Sequence, residues 1–198
     1  WDHHTPYVPV LVPRHRRIGI GGRLDATGTE LRPIPSDDLD RAASILKEEG
    51  VEAVAICLTN SFLSGVHEQQ AADHLHRVLP DAFFTLSSDV APIMGEYERG
   101  STAVLNCYIG PRTTGYLQKL ERGLGAAGLR VPLLLVQNNG GITAVSEIAS
   151  RPVNLMLSGP AAAVGTLSYL AGGIGRNSLI SMEIGGTSCD VVLMRDGE

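Results

Sequence analysis

Apolar and polar residues along this chain switch repeatedly between a helical and an extended rhythm. Leu39, Ala42, Ala43 and Leu46 recur at i, i+3, i+4 and i+7, which predicts a helix with one buried face. Ser36 is placed to cap it, Asp37 and Asp38 fall in the first turn where the dipole favours negative charge, and Gly50 is placed to close it. The apolar run Val51–Leu58 then predicts a buried strand, and the two together form the αβ unit that builds mostly parallel sheets.

Upstream, Val8–Pro13 reads as extended because proline fixes φ and restricts its predecessor, with short strands expected at Arg17–Gly22 and Thr29–Arg32 around the turn Asp25–Gly28. Downstream, a polar helix is expected from Gly65 to Leu79. Its His67, His74 and His76 read as a solvated face, and His67 and Glu68 cannot chelate one metal because adjacent helix residues point about 100° apart. Phe83–Ser88 is strand-like. A helix then begins at Glu96 with Tyr97, Ser101, Val104, Leu105 and Tyr108 on one stripe, is expected to break at Pro111, and resumes with Tyr116, Leu117, Leu120 and Leu124. Glu96, Glu98 and Arg99 read as surface ion pairs on that helix.

Val131–Val136 is another apolar run, predicts a second buried strand, and opens into Gln137-Asn-Asn-Gly-Gly141. In open α/β sheets ligands bind beyond the carboxyl ends of strands, so Asn139 and Gly140 are site candidates, with a simple polar turn as the alternative. Ser158 is then placed to cap a helix of small residues, Ala161, Ala162, Ala163, Gly165 and Ser168, that another backbone could approach closely, and Gly172-Gly173 is placed to end it.

The most informative stretch follows. An apolar run reaches Glu183, breaks at Gly185-Gly186, passes Thr187, Ser188 and Cys189, and resumes at Asp190 as a second apolar run. This predicts a hairpin whose paired glycines suit a turn of positive φ. The same glycines leave room for a phosphate beside the backbone, the hydroxyls of Thr187 and Ser188 can donate to it, and the carboxylates of Glu183 and Asp190 suit Mg²⁺ or its waters. An ordinary hairpin with polar residues is the competing reading of these residues alone.

Composition narrows the classes. With 198 residues, 43% of them hydrophobic, the chain can bury a sizeable core, and a net charge of −5 leaves no electrostatic footprint for nucleic acid or an anionic membrane. No apolar run approaches the roughly 18 to 20 residues of a membrane span. Cys57, Cys107 and Cys189 are odd in number and widely spaced, which argues against a disulfide framework or a zinc site and points to a reducing cytoplasm. Gly19, Gly21 and Gly22 form a Gly-x-Gly-Gly pattern with no helix directly after it, which argues against a dinucleotide fingerprint. The ends, Trp1-Asp-His-His and Arg195-Asp-Gly-Glu198, read as cut edges of a longer polypeptide.

Four motifs in order carry a resemblance: Pro92-Ile-Met-Gly-Glu-Tyr-Glu-Arg-Gly-Ser-Thr-Ala-Val-Leu-Asn-Cys-Tyr108, Gln137–Gly141, Ser158-Gly-Pro-Ala-Ala-Ala-Val-Gly165 and Glu183-Ile-Gly-Gly-Thr-Ser-Cys-Asp-Val191. Together they resemble the hydantoinase A / 5-oxoprolinase family, which also holds subunits of acetone and acetophenone carboxylases. The resemblance implies an α/β fold: a fragment of an actin-like, ribonuclease H-like ATPase core, with a mixed sheet and flanking helices. Residues 1–103 would be the later part of the N-terminal region and 104–198 the beginning of the ATPase region.

By the same resemblance Gly185, Gly186, Thr187 and Ser188 hold phosphate oxygens of ATP, Glu183 and Asp190 orient Mg²⁺ or water as the catalytic pair, and Ser158 and Gly159 lie at the hinge beside the cleft. The implied activity is ATP-dependent opening of a cyclic amide, hydantoin or 5-oxoproline in type, by phosphorylation of its carbonyl oxygen. A second, B-type subunit or domain and an oligomeric assembly go with it. A subunit of a ketone carboxylase and a non-catalytic actin-like module that assembles or binds partners with nucleotide are the alternatives. The chain departs from the family pattern at Glu183 (usually Asp), Cys189 (Thr), Asn138 (Ser) and Gly95 (Arg). It also lacks the family's earlier phosphate loop and its adenosine-binding glycines, so alone it is not expected to bind ATP well.

Overall fold

The computed structural model describes residues 10–186 and 188–197. They divide into two compact units, the first ending at Arg112 and the second beginning at Thr113.

In the first unit, strands β1 (Arg23–Leu24) and β2 (Glu30–Arg32) form a small antiparallel hairpin. The expected strand over residues 17–22 does not form; pairing starts only at Arg23. Its turn is an Asp-led loop: Asp25 Oδ1 accepts from the Thr27 amide and hydroxyl and from the Thr29 amide, which together hold the Asp25 carboxyl below its ordinary pKa.

Helix α1 (Ser36–Glu48) buries Leu39, Ala42, Ala43 and Leu46, as its periodicity predicts. Ser36 is the first helical residue rather than the cap. Pro35 occupies the cap position, and the Ser36 hydroxyl lies nearest its neighbour Asp37. Asp38 is the residue that ties the helix to the preceding segment, through the Gly21 amide at 2.7 Å. Strands β3 (Ala53–Ile56) and β4 (Phe83–Leu86) pair in parallel, connected through α2 (Val66–Val78). The core between these layers joins Ile34, the α1 face, Val54, Ile56, Ala71, Ala72 and Leu75. Beyond β4 a short turn of helix, α3 (Ser87–Val90), replaces the expected end of the strand.

Helix α4 (Glu96–Ala126) runs through Pro111 without a break, and the division between the units falls inside it. A proline removes one i to i−4 hydrogen bond and costs roughly 3 kcal/mol. Tertiary packing on both sides offsets that loss: Ala103, Cys107 and Gly110 are buried before it and Leu117 after it. The stripe read from the sequence is not the inner face: Tyr97 is 82% and Tyr108 66% exposed, and Ser101, Val104 and Leu105 are only half-buried. The buried row is Arg99, Ala103, Asn106, Cys107 and Gly110, where small residues let α4 approach β4 so closely that a Cβ at Gly110 would meet the Phe83 ring at 2.5 Å.

In the second unit β5 (Leu134–Val136) pairs antiparallel with β6 (Ile142–Ala144), followed by the short α5 (Val145–Ile148). The strand expected to be buried is not. Leu134 and Val136 are exposed because a two-stranded sheet covered on one side leaves its other face open. Leu117, Val145 and Ile148 form a small core there. Helix α6 (Ser158–Ile174) begins without a side-chain cap after Leu157, which has a φ of 61°, and ends at Gly175 rather than at Gly172-Gly173. Strands β7 (Leu179–Ile184) and β8 (Cys189–Met194) form an antiparallel hairpin whose Leu179, Val192 and Met194 pack on Leu167 and Ala171 of α6. The described fold is thus mixed α/β, with one parallel and three antiparallel strand pairs. Among the described residues no helix is long and apolar enough to cross a membrane.

Candidate functional site

The register of the β7–β8 hairpin decides where the acidic residues lie. Glu183 stands directly opposite Asp190, and Ile184 opposite Cys189. Because side chains alternate along a strand, Glu183 and Asp190 share the face of Leu179, Ser181, Val192 and Met194, the face that packs on α6. The two carboxylates therefore sit side by side at the turn end of that face, Glu183 exposed and Asp190 half-buried. Like charges directly opposite on a sheet repel, so this pair costs stability unless water or a cation lies between them.

The turn is closed by the Gly185 amide, which donates to the Ser188 carbonyl at 3.0 Å. The Ser188 hydroxyl donates to Asp190 Oδ2 at 3.1 Å, orienting that carboxylate. Neither Gly185 nor Gly186 adopts the positive φ expected of them. Their value here is space: a Cβ at Gly186 would meet nothing within 4 Å, and one at Gly185 only the Ser188 carbonyl at 3.7 Å, so the turn surface is open to an approaching group. Thr187 lies outside the described residues.

The second candidate region is the turn between β5 and β6. Asn139 Oδ1 accepts from the Gly141 amide, Gln137 and Gly141 close the turn at 2.8 Å, and Gly140 has a φ of +79°, a conformation that favours glycine. The turn is fastened to the segment before α6, since the Asn138 amide donates to the Asn154 carbonyl at 2.7 Å and Asn154 Nδ2 to Gln137 Oε1 at 3.3 Å. A Cβ at Gly140 would come within 3.9 Å of the Ala161 carbonyl. The structure thus brings Gly140 close to the first turn of α6, the turn that Ser158 and Gly159 open. Among the described residues no hydrogen bond or ion pair joins Asn139, Gly140, Ser158 or Gly159 to Glu183, Gly185, Gly186, Ser188 or Asp190.

Whether Mg²⁺ suits the hairpin turns on donor chemistry. No group of three or more His, Cys, Asp or Glu that could hold a metal occurs among the described residues. Mg²⁺ commonly keeps several waters and takes one or two carboxylates together with substrate phosphates, and the opposed carboxylates of Glu183 and Asp190 fit that partial set.

A further constellation, in the first unit, escaped the sequence reading. Glu68 and Arg99 are both 0% exposed. Glu68 Oε1 accepts from the Leu58 amide at 2.8 Å and from the Ser87 hydroxyl at 2.6 Å, and Oε2 from the Ser88 amide at 2.9 Å. Arg99 donates through Nε to Ser87 Oγ at 3.0 Å, through Nη2 to the Leu58 carbonyl at 2.7 Å and through Nη1 to the Ile93 carbonyl at 3.1 Å. Arg99 is thus no member of a surface ion pair; it is the centre of a buried network across the carboxyl ends of β3 and β4. With its single proton given to Glu68, Ser87 must accept from Ser61, 3.3 Å away.

His67 also departs from the expected solvated face. It is 3% exposed, with Nε2 2.7 Å from Glu30 Oε2, while His74 pairs with Asp40 and His76 stacks edge-on against Phe84. The available signal was the small-residue row Ala103, Cys107 and Gly110, which marks the true inner face of α4 and places Arg99 and Asn106 on it.

The fold places the chain in a class, a mixed α/β chain of actin-like fold, and it carries a glycine hairpin flanked by opposed carboxylates. The chain superposes on the crystal structure of ATP-dependent caprolactamase from Pseudomonas jessenii with a TM-score of 0.87 at 34% identity, and on nucleotide-free acetone carboxylase with a TM-score of 0.86 at 28%. Each match covers 98% of this chain and 28% of the other. The profile described as Hydantoinase/oxoprolinase covers residues 99–198, and that of the Hydantoinase/oxoprolinase N-terminal region covers 3–79. The chain belongs to the hydantoinase/oxoprolinase family.

Among curated relatives, the caprolactamase subunit alpha of Pseudomonas jessenii is 34% identical over 100% of this chain and 28% of its own length. The acetophenone carboxylase gamma subunit of Aromatoleum aromaticum is 28% identical over 93% and 26%, and the 5-oxoprolinase of Saccharomyces cerevisiae is 28% identical over 86% and 13%. The chain therefore spans between about an eighth and somewhat over a quarter of these relatives.

Proposed function

We propose that this chain is part of an ATP-dependent hydrolase that opens cyclic amides by phosphorylating the carbonyl oxygen. The observation that carries the reading is its 34% identity and TM-score of 0.87 to a caprolactamase, against 28% identity to the carboxylases. A lactam or hydantoin amide is inert because donation from its nitrogen makes the carbonyl carbon a poor electrophile. Transfer of the terminal phosphoryl group of ATP to the carbonyl oxygen, with release of ADP, opens that carbon to water; the C–N bond then breaks and phosphate is released, and what the protein contributes is positioning and neutralisation of charge.

In this reading Gly185, Gly186, Thr187 and Ser188 receive phosphate oxygens of ATP, and Ser188 fixes Asp190 through the bond already in place. Glu183 and Asp190 would hold Mg²⁺ and its waters, whose contribution when bound is to neutralise phosphate charge. Asn139, Gly140, Ser158 and Gly159 line the neighbouring part of the nucleotide site. Residues 1–103 represent the later part of the family's N-terminal region and 104–198 the start of its ATPase region. A second subunit supplies the remainder of the reaction, in keeping with relatives named as alpha, beta and gamma subunits.

The test uses the full-length protein. ATP turnover is expected to rise on addition of a lactam, a hydantoin or 5-oxoproline, and Asp190→Asn is expected to lower it by at least about 100-fold without unfolding the protein. Turnover indifferent to every cyclic amide, or unchanged in Asp190→Asn, would overturn the assignment. The relatives that are carboxylase subunits support a second reading, phosphorylation of a ketone enolate before carboxylation. Dependence of ATP turnover on bicarbonate and a ketone, in place of a cyclic amide, selects it.

A further inference from the structure

We draw no further inference here: the strongest candidate, the outer face of the β7–β8 hairpin, where Ile180, Met182, Ile184, Val191 and Leu193 lie exposed opposite the α6-packed side, is an unpartnered apolar sheet face, and nothing in the structure shows what covers it.

Discussion

The two units place their charged groups in opposite ways. In the first, Glu68 and Arg99 are withdrawn from water completely and every interaction they make serves to join chain segments: the end of β3, the start of α3 and the loop before α4. In the second, Glu183 and Asp190 stand side by side at the tip of a hairpin, where they repel each other and secure little of the fold. Buried charge that is hydrogen-bonded is structural here, whereas the opposed charge lies nearer the surface and ties no distant segments together. The apolar cores differ in the same sense. Among the described residues the first unit has one continuous cluster spanning α1, α2 and the β3–β4 pair, whereas the second has two small clusters, one under the β5–β6 sheet and one under the β7–β8 hairpin.

The contrast can be broken most severely at Arg99. Replacing it by leucine removes its bonds to Ser87 and to the Leu58 and Ile93 carbonyls, takes away the positive charge that reaches buried Glu68 through Ser87, and should lower stability by roughly 3–5 kcal/mol, read from urea denaturation of the chain. The double variant Glu68→Gln with Arg99→Leu should recover part of the loss. A single variant as stable as the parent would show that the network is not structural. Next in size, Leu39→Ala should cost about 2–5 kcal/mol, because Leu39 is 3% exposed within the continuous cluster. Leu167→Ala, in the smaller cluster under the hairpin, should cost less than Leu39→Ala. The reverse order would mean that the second unit is the better packed.

Cys107 sharpens the comparison from the side of pH. Burial beside β4 pushes its thiol from 9.0 up to about 11. An unfolded thiol ionises first as pH rises, so the folded state binds more protons between about 9 and 11 and loses stability across that window. The loss is on the order of 1–2 kcal/mol, and Cys107→Ala should flatten this part of the stability profile relative to the parent. Asp38, held below its ordinary value by Arg41 and the Gly21 amide, acts at the other end. Its contribution is present above about 3.8 and is lost as pH falls through the lowered folded value.

The smallest effect on stability belongs to the hairpin. Asp190→Asn removes one of two like charges and should change stability by less than about 0.5 kcal/mol, or raise it slightly, in the same urea assay. A large loss would place Asp190 among the structural charges and erase the distinction between the units.

Much of this was legible in the residues. The α1 stripe of Leu39, Ala42, Ala43 and Leu46, the β3 run and the β7–β8 hairpin are all local patterns whose periodicity matches what is buried or paired. The readings that failed share a cause. Tyr97, Val104, Leu105 and Tyr108 form a plausible apolar stripe, yet α4 turns the other way because β4 needs a face slim enough to admit Phe83 beside Gly110. His67, Glu68 and Arg99 look like solvated charges because their partners are far away in sequence, as the Arg99 bond to the Leu58 carbonyl illustrates. Of the candidate site, the residue types around Gly185-Gly186 were readable. That Gly185 and Gly186 would take no positive φ, and that Asn138 would be tied to Asn154, were not.

By itself, then, the sequence determined α1, α2 and α6, the runs at β3, β4 and β5, the β7–β8 hairpin, the buried face of α1 and the residue types gathered at the hairpin, because these depend on neighbours within a few residues. Only the tertiary structure decided that α4 continues through Pro111, that Arg99 and Glu68 lie inside, and that Glu183 faces Asp190 on the α6 side of the sheet. Each of those outcomes balances a local cost, a missing hydrogen bond, a desolvated charge or a repulsion, against contacts supplied by other segments of the chain, and periodicity carries no information about such contacts.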